Sequence, residues 1–367
     1  MTSNTHQLVE TIIAAFARGE IVVVTDDDDR ENEGDLFVAA SMCTPEKMAF
    51  IIRNTSGIVC APLAVEQAKR LHLDPMVALN DAPLGTAFTV SVDVRHGLTT
   101  GISAEERTNT VRALANGNSG ANDFVRPGHV FPLVAREGGV LMRSGHTEAC
   151  VDLCRLAGLP AVGVLSELMN DDGTVTRGAE VAAFAARHNL KRISIADLIA
   201  YRQAREKLVD RVSEFTVTTE IGPLKGYAYT THFDQVHHMA LVYGRIDGTN
   251  VPTRLHRANL IRDMFGGTNT VPKVLQHFKR EGQGVIVFLR DGSVGVPVSA
   301  IPKGGDKNGD SGSDAERQRQ WREIGLGAQI LKDLGITSIR LLTSAQHRYV
   351  GLAGFGIEIV ATEPIQE

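Results

Sequence analysis

The feature that most constrains the fold of this chain is a crowd of acids placed directly behind an apolar strand. Residues 21–25 read IVVVT, a β-branched run of the kind buried in a sheet. Asp26-Asp27-Asp28-Asp29-Arg30-Glu31-Asn32-Glu33-Gly34-Asp35 follows at once, putting seven carboxylates within ten residues. Like charges this close repel one another unless water, a cation or a basic ligand offsets them. The strand must therefore deliver its carboxyl end to an open face. A solvated acidic loop satisfies that demand, and so does a site for a hard divalent cation, whose preferred ligands are oxygens. In α/β proteins ligand sites lie at the carboxyl ends of strands, which favours the second reading.

The rest of the first 205 residues alternates between helical and strand periodicity. Helices are predicted over 7–18, 45–55, 65–73, 147–158 and 179–188, and over 103–116, where Ser103 and Glu106 form a capping-box pattern. Strands are predicted over 57–63, 86–94, 138–143 and 160–168. This is mixed α/β material, an α+β class of fold, and the pattern does not fix whether the sheet is parallel. The charged stretch 194–212 reads as a connecting helix. At 367 residues two domains are expected, 1–205 and 206–367. The second opens with a strand-like stretch, 215–231, and continues with MALVYGRID. It carries a Gly/Ser/Asp-rich insert, 301–320, expected to be a flexible loop or disordered, and ends with a helix over 321–335 and a strand over 338–343.

A net charge of -5 supplies no basic field, so no nucleic-acid partner is expected. No apolar stretch reaches membrane-spanning length, and the N-terminus lacks the pattern of a signal peptide. The four cysteines, 43, 60, 150 and 154, lack the paired CxxC spacing of a zinc site. A cytoplasmic enzyme with reduced thiols and no membrane partner is the expectation.

Three further stretches carry chemistry. Val140–Ala149 turns from strand to helix through Gly145, so that backbone N–H groups, the Thr147 hydroxyl and the Arg143 guanidinium form a natural anion site. His146 in that turn is either a metal ligand or a structural histidine. Arg126–Pro132 reads as a Gly/Pro-stiffened turn that fixes His129. Glu167 ends an apolar strand, placed to be a general acid or base or merely a solvated strand end.

Taken together and in order, these stretches resemble 3,4-dihydroxy-2-butanone-4-phosphate synthases of riboflavin biosynthesis. The motifs DDxDRENEGDL, SGIVC, TGISAxxR, RPGHVFPL, RxGHTEA and a strand-ending Glu before MNxDG stand here at Asp26–Leu36, Ser56–Cys60, Thr100–Arg107, Arg126–Leu133, Arg143–Ala149 and Glu167–Gly173. The resemblance covers roughly residues 7–201. It implies a lyase converting ribulose 5-phosphate to the four-carbon hydroxyketone phosphate and formate, with two divalent cations, Mg2+ or Mn2+, per active site. It implies that Glu31 and His146 bind metal. Arg30, Glu31, Asp35, Arg143, Ser144, Gly145, His146, Thr147 and Glu167 would contact substrate, and Asp26, Glu33, Cys60, His129 and Glu167 would serve catalysis. The family chemistry begins with loss of the C3 proton to give an enediolate. Members are homodimers with active sites at the subunit interface, so a homodimer is implied here. One departure is visible, Glu106 where the family has Asp, a conservative change in a helix's first turn.

Residues about 212–364 resemble the GTP cyclohydrolase II domain that often follows this synthase in one polypeptide, through HMALVYGRI, RLHRANLIRDMFGG, GLGAQILKDLG, SIRLLTS and GLAGFGIEIV. The family's three zinc cysteines are replaced by Asn259, Thr270 and Pro272, and the segment Arg290–Ser293 lacks the purine-reading glutamate. Gln320 replaces an acid, while Arg254, Arg322, Thr343 and Arg348 survive. An amide, a hydroxyl and a proline ring cannot hold tetrahedral zinc, so no zinc and no GTP cyclohydrolase II activity are expected. Two other readings compete: a bifunctional enzyme, and a non-catalytic nucleotide-binding or regulatory protein.

Overall fold

The computed structural model describes residues 2–26, 32–82, 85–232, 236–258, 263, 270–290, 325–343, 352 and 357–365. The chain divides into two compact units, Met1–Tyr201 and Arg202–Glu367, and each contains a seven-stranded sheet.

The first unit contains β1 (Val22–Thr25), β2 (Gly34–Ala39), β3 (Cys60–Leu63), β4 (Val92–Val94), β5 (Phe124–Val134), β6 (Gly163–Glu167) and β7 (Lys191–Ser194), in the sheet order β4-β5-β3-β6-β2-β1-β7. Its helices are α1 (Thr2–Ala17), α2 (Pro45–Asn54), α3 (Val65–Arg70), α4 (Ala104–Ala115), α5 (His146–Leu156) and α6 (Ala179–Arg187), with α7 (Ile195–Arg205) crossing the unit boundary. The sheet is mixed. β1–β2, β2–β6, β3–β6 and β4–β5 are antiparallel, while β1–β7 and β3–β5 are parallel. Chain length explains the first pairing: β1 and β2 are too close in sequence for the crossover that parallel strands need. Val23, Leu36, Val38, Ala61 and Val164 from the central strands bury themselves with Met48 and Ile51 of α2 and Val111 and Leu114 of α4. Burial of such side chains contributes roughly 1.5–3 kcal/mol each. The Ser103–Glu106 capping box is formed, opening α4 as its sequence predicts.

Elsewhere local patterning gave way to tertiary demands. The stretch predicted as a strand over 138–143 is a single 3-10 turn, Gly139–Leu141. Gly138 and Gly139 have φ of 85° and 61°, which an extended strand excludes, and the Asp152 carboxylate sits where a Cβ on Gly139 would lie. RPGHVFP is not a turn but the interior of β5. Gly128 is required there because a Cβ would run into the Val92 and Asp93 backbone, so close approach to β4 explains it. The connecting helix stops at Arg205, and Val209 already begins the next strand.

The second unit contains β8 (Val209–Thr219), β9 (Gly222–Thr231), β10 (His238–Tyr243), β11 (Val251–Arg257), β12 (Gly284–Leu289), β13 (Ser338–Thr343) and β14 (Glu358–Pro364), in the order β14-β13-β11-β12-β10-β9-β8. The stretch predicted as one strand over 215–231 is a hairpin of β8 and β9 turning at Glu220-Ile221. β8 to β10 pair antiparallel, while β11, β12, β13 and β14 pair parallel to one another. Helix Thr270–Glu281 packs Val274, Leu275 and Phe278 against Leu224, Leu241 and Ile286. The 301–320 insert lies outside the described residues. Among the described residues no helix is long and apolar enough to cross a membrane.

Candidate active site

The acidic run leaves β1 and re-enters the sheet as β2. Asp26 is buried at the end of β1, where its Oδ1 accepts the Glu33 backbone N–H at 2.9 Å. Glu33, half-buried, takes Arg177 Nη2 on its Oε1 at 2.6 Å. Asp35, buried in β2, lies directly opposite Glu167 at the end of β6. Residues 27–31, and with them Arg30 and Glu31, lie outside the described residues.

Three neighbours close around Asp35. Cys60 opens β3 opposite Leu165 of β6, and burial, followed by the charges of Asp35 and Glu167, pushes its thiol up to about 12. It is therefore a neutral thiol near pH 7, not a thiolate nucleophile. Glu167 is solvent-accessible as a residue, yet desolvation of its carboxyl, with the Glu33 charge second, raises its pKa above the ordinary carboxylate value. His146 is the first residue of α5 and is buried, with Nδ1 3.9 Å from Asp35 Oδ2 and its ring edge-on to Phe37. Asp26, Glu33, Asp35, Cys60, His146 and Glu167 thus converge on the ends of β1, β2, β3 and β6 and the start of α5.

The helix start is built around Gly145, which offers α5 no side-chain cap and leaves Ser144 and Thr147 flanking the first turn. Arg143 is buried and clasped by Glu148, Nη1 to Oε2 at 2.7 Å, with Nη2 3.3 Å from Thr86 Oγ1. A Cβ at position 145 would collide with this Arg143–Glu148 pair. The glycine is thus needed for the clasp. His129 lies on β5 two residues before Phe131, the partner of Cys60, and its polar contacts run to buried Asp93. Sequence reasoning assigned no role to Glu148, Arg177 or Asp93. Glu148 stood inside a quoted motif, and Asp93 lay within the strand predicted over 86–94. Arg177 is 144 residues from Glu33 and carried no local signal.

For a divalent cation the described donors are the His146 imidazole and the oxygens of Asp35 and its carboxylate neighbours. This set fits a hard cation, and the neutral Cys60 thiol gives a soft one nothing. Among the described residues no group of three or more His, Cys, Asp or Glu side chains is arranged to hold a metal. In the second unit Thr270 and Pro272 stand in the first turn of their helix, and Asn259 and residues 291–293, 320, 322 and 348 lie outside the described residues. Residues 202–367 contain no cysteine. Arg254 Nη1 donates to Leu342 O at 2.9 Å, Thr343 is buried, and His256 Nε2 meets Asp263 Oδ2 at 3.0 Å.

Residues 10–201 match the family model described as 3,4-dihydroxy-2-butanone 4-phosphate synthase, and residues 210–364 match that of GTP cyclohydrolase II. Two Arabidopsis thaliana proteins align with 96% of the chain. One, named bifunctional riboflavin biosynthesis protein RIBA 1, is 46% identical and covered over 68% of its length. The other, named monofunctional riboflavin biosynthesis protein RIBA 2, is 45% identical and covered over 76%. The crystal structure of RibBX from A. baumannii, described as a two domain 3,4-dihydroxy-2-butanone 4-phosphate synthase, superposes with a TM-score of 0.79 at 36% identity, covering 98% of this chain and 99% of that one. A synthase crystallised with two magnesium ions is 48% identical with a TM-score of 0.53, covering 54% of this chain and 97% of its own.

Proposed function

Because the chain belongs to the 3,4-dihydroxy-2-butanone 4-phosphate synthase family of riboflavin biosynthesis, joined here to a GTP cyclohydrolase II-like unit, we propose that its first unit converts D-ribulose 5-phosphate to L-3,4-dihydroxy-2-butanone 4-phosphate and formate, and that its second unit does not open GTP. The observation that carries the first part is the convergence of Asp35, Cys60, His146 and Glu167 on one sheet end beside the acidic hairpin.

Glu31 and His146 would hold the metal, and Asp35 and Arg30 would contact the substrate. When bound, divalent cations (Mg2+ or Mn2+, two per site) would polarise substrate oxygens and stabilise negative charge as a proton leaves carbon. The open first turn of α5, Ser144 to Thr147, with the clasped Arg143, would receive the phosphate. Glu167, with its raised pKa, is a stronger base than a free carboxylate and holds the proton it takes closer to neutral pH. His129 is the second proton carrier. Asp26 and Glu33 fix the hairpin's base through their mutual hydrogen bond and share in the proton traffic. Cys60, a neutral thiol, supplies shape and a weak hydrogen bond. Ile58, two residues before Cys60, and Ile102, next to Gly101, are exposed, which favours a subunit contact, as in a homodimer.

For the second unit the support is chemical: with no cysteine after residue 201 there is no thiolate set for zinc. The test for the first unit is incubation with ribulose 5-phosphate and Mg2+, with and without EDTA. Formate and the four-carbon phosphate in equal amounts, lost with EDTA, are expected. A five-carbon product would make the protein a sugar-phosphate isomerase, and no product from folded protein would favour a binding role.

A further inference from the structure

The segment 136–145 carries the chain from β5 into α5 and delivers Arg143 to the helix start. Asp152, 2% exposed and without a task in the chemistry above, sits one helical turn beyond Glu148. Both side chains therefore lie on the same face of α5. That face holds the segment at two points. Glu148 Oε1 accepts the Arg136 backbone N–H at 3.1 Å, and Asp152 Oδ2 accepts that of Val140 at 2.8 Å. Gly139, at φ +61°, lies so close to Asp152 that a Cβ there would overlap both carboxylate oxygens. The Gly139 carbonyl in turn accepts the backbone N–H of Met142 at 2.9 Å and that of Arg143 at 3.1 Å. A short chain of contacts thus runs from the Asp152 carboxylate through Gly139 and Val140 to the Arg143 backbone. At the far end of the same residue, Glu148 and Thr86 meet two nitrogens of its guanidinium.

We propose that Asp152 is a positioning residue for the substrate's phosphate group, acting through this turn on Arg143. The proposal rests on the reading that Arg143 and the open start of α5 receive that phosphate. An arginine side chain gives up rotamer freedom when it closes on a ligand, and one whose backbone and guanidinium are already held gives up less. Asp152 thereby serves affinity without touching the ligand. The phosphate is remote from the carbon that first loses a proton, so a looser grip on it weakens binding and leaves the chemical step nearly unchanged.

The test is a phosphorus-31 NMR titration of the full-length protein, supplied with Mg2+, against inorganic phosphate, together with steady-state kinetics on ribulose 5-phosphate. Asp152→Ala is expected to weaken phosphate binding and to raise KM by about tenfold each, with kcat within about threefold of wild type. Asp152→Asn keeps an oxygen acceptor for the Val140 N–H and should bring both constants back to within about threefold of wild type. A residue that only stabilises the fold would lower the melting temperature and leave both constants unmoved, and that result would overturn the proposal. So would a fall in kcat alone. If Asp152→Ala does not fold, hydrogen exchange of the wild-type protein decides. Residues 136–145 should exchange slowly before phosphate is added and gain little protection from it, whereas a segment that exchanges freely until phosphate binds would overturn the proposal. Arg143→Gln separates the two levels. Unchanged phosphate affinity in that variant would refute the phosphate reading itself. Lost affinity there, with none lost in Asp152→Ala, would refute the role of Asp152 alone.

Discussion

The two units have sheets of equal size and treat charge in opposite ways. Among the described residues, every buried Asp, Glu and Arg (Asp26, Asp35, Asp93, Arg107, Arg143, Glu148 and Asp152) belongs to the first unit. The buried polar side chains of the second are amides, hydroxyls and two histidines, His238 and His256. Its ion pairs lie nearer the surface, such as Arg211 with Glu214 and Lys225 with the same carboxylate. Burying charge costs stability, and the cost persists where charge does chemistry. The contrast teaches that, among the described residues, the first unit keeps charge inside its core and the second keeps it near the surface, as expected if the proposed reaction belongs to the first.

The sharpest way to break this comparison is Glu31→Gln. If Glu31 binds metal as proposed, removing its carboxylate should abolish turnover, a loss beyond about 100-fold, with the circular dichroism and melting profile unchanged. Near-normal formate release at saturating Mg2+ would remove Glu31 from the metal site.

Next in size is the cost of breaking one ion pair in each unit. Glu148→Ala leaves the buried Arg143 without its clasp and should destabilise the first unit by about 3–5 kcal/mol. Glu214→Ala, in a pair whose side chains are 47% and 31% exposed, should leave the second almost as stable as before. Hydrogen exchange followed by mass spectrometry resolves the units separately, and equal costs would erase the distinction.

A smaller effect follows from Glu167. Its folded pKa is raised, so the folded state binds this proton more tightly than the unfolded chain does. The resulting stability is full below the unfolded pKa and is lost as pH rises through the folded one. Glu167→Gln should therefore leave stability near pH 4 almost unchanged and raise it at pH 7–8, while activity falls. Urea midpoints at both pH values check the sign. The smallest expected effect is nil: Asn259→Cys alone should confer no GTP cyclohydrolase activity even with added zinc, because Thr270 and Pro272 still offer no thiolate.

Much of the first unit was legible because its chemistry is local. The acidic run behind β1, the Gly145 helix start and the Ser103–Glu106 cap each lie within ten residues, so local residue types alone point to them. What stayed hidden depends on distant pairings. Strand order and direction arise from contacts such as Asp35 with Glu167, and the Glu33–Arg177 pair spans 144 residues. Gly128 misled for the same reason, since it answers to the backbone of β4 and not to its own neighbours. In the second unit the missing cysteines were readable one by one, whereas the β8–β9 hairpin was not, because Glu220-Ile221 lacks the Gly/Asn signature of a tight turn.

The most direct test of the whole account gives one purified preparation, supplied with Mg2+ and stoichiometric zinc, two substrates in parallel and measures formate from each. Ribulose 5-phosphate should yield formate at an enzymatic rate and GTP none above background. Formate from GTP, or none from ribulose 5-phosphate, would contradict the division of labour drawn here between the two units.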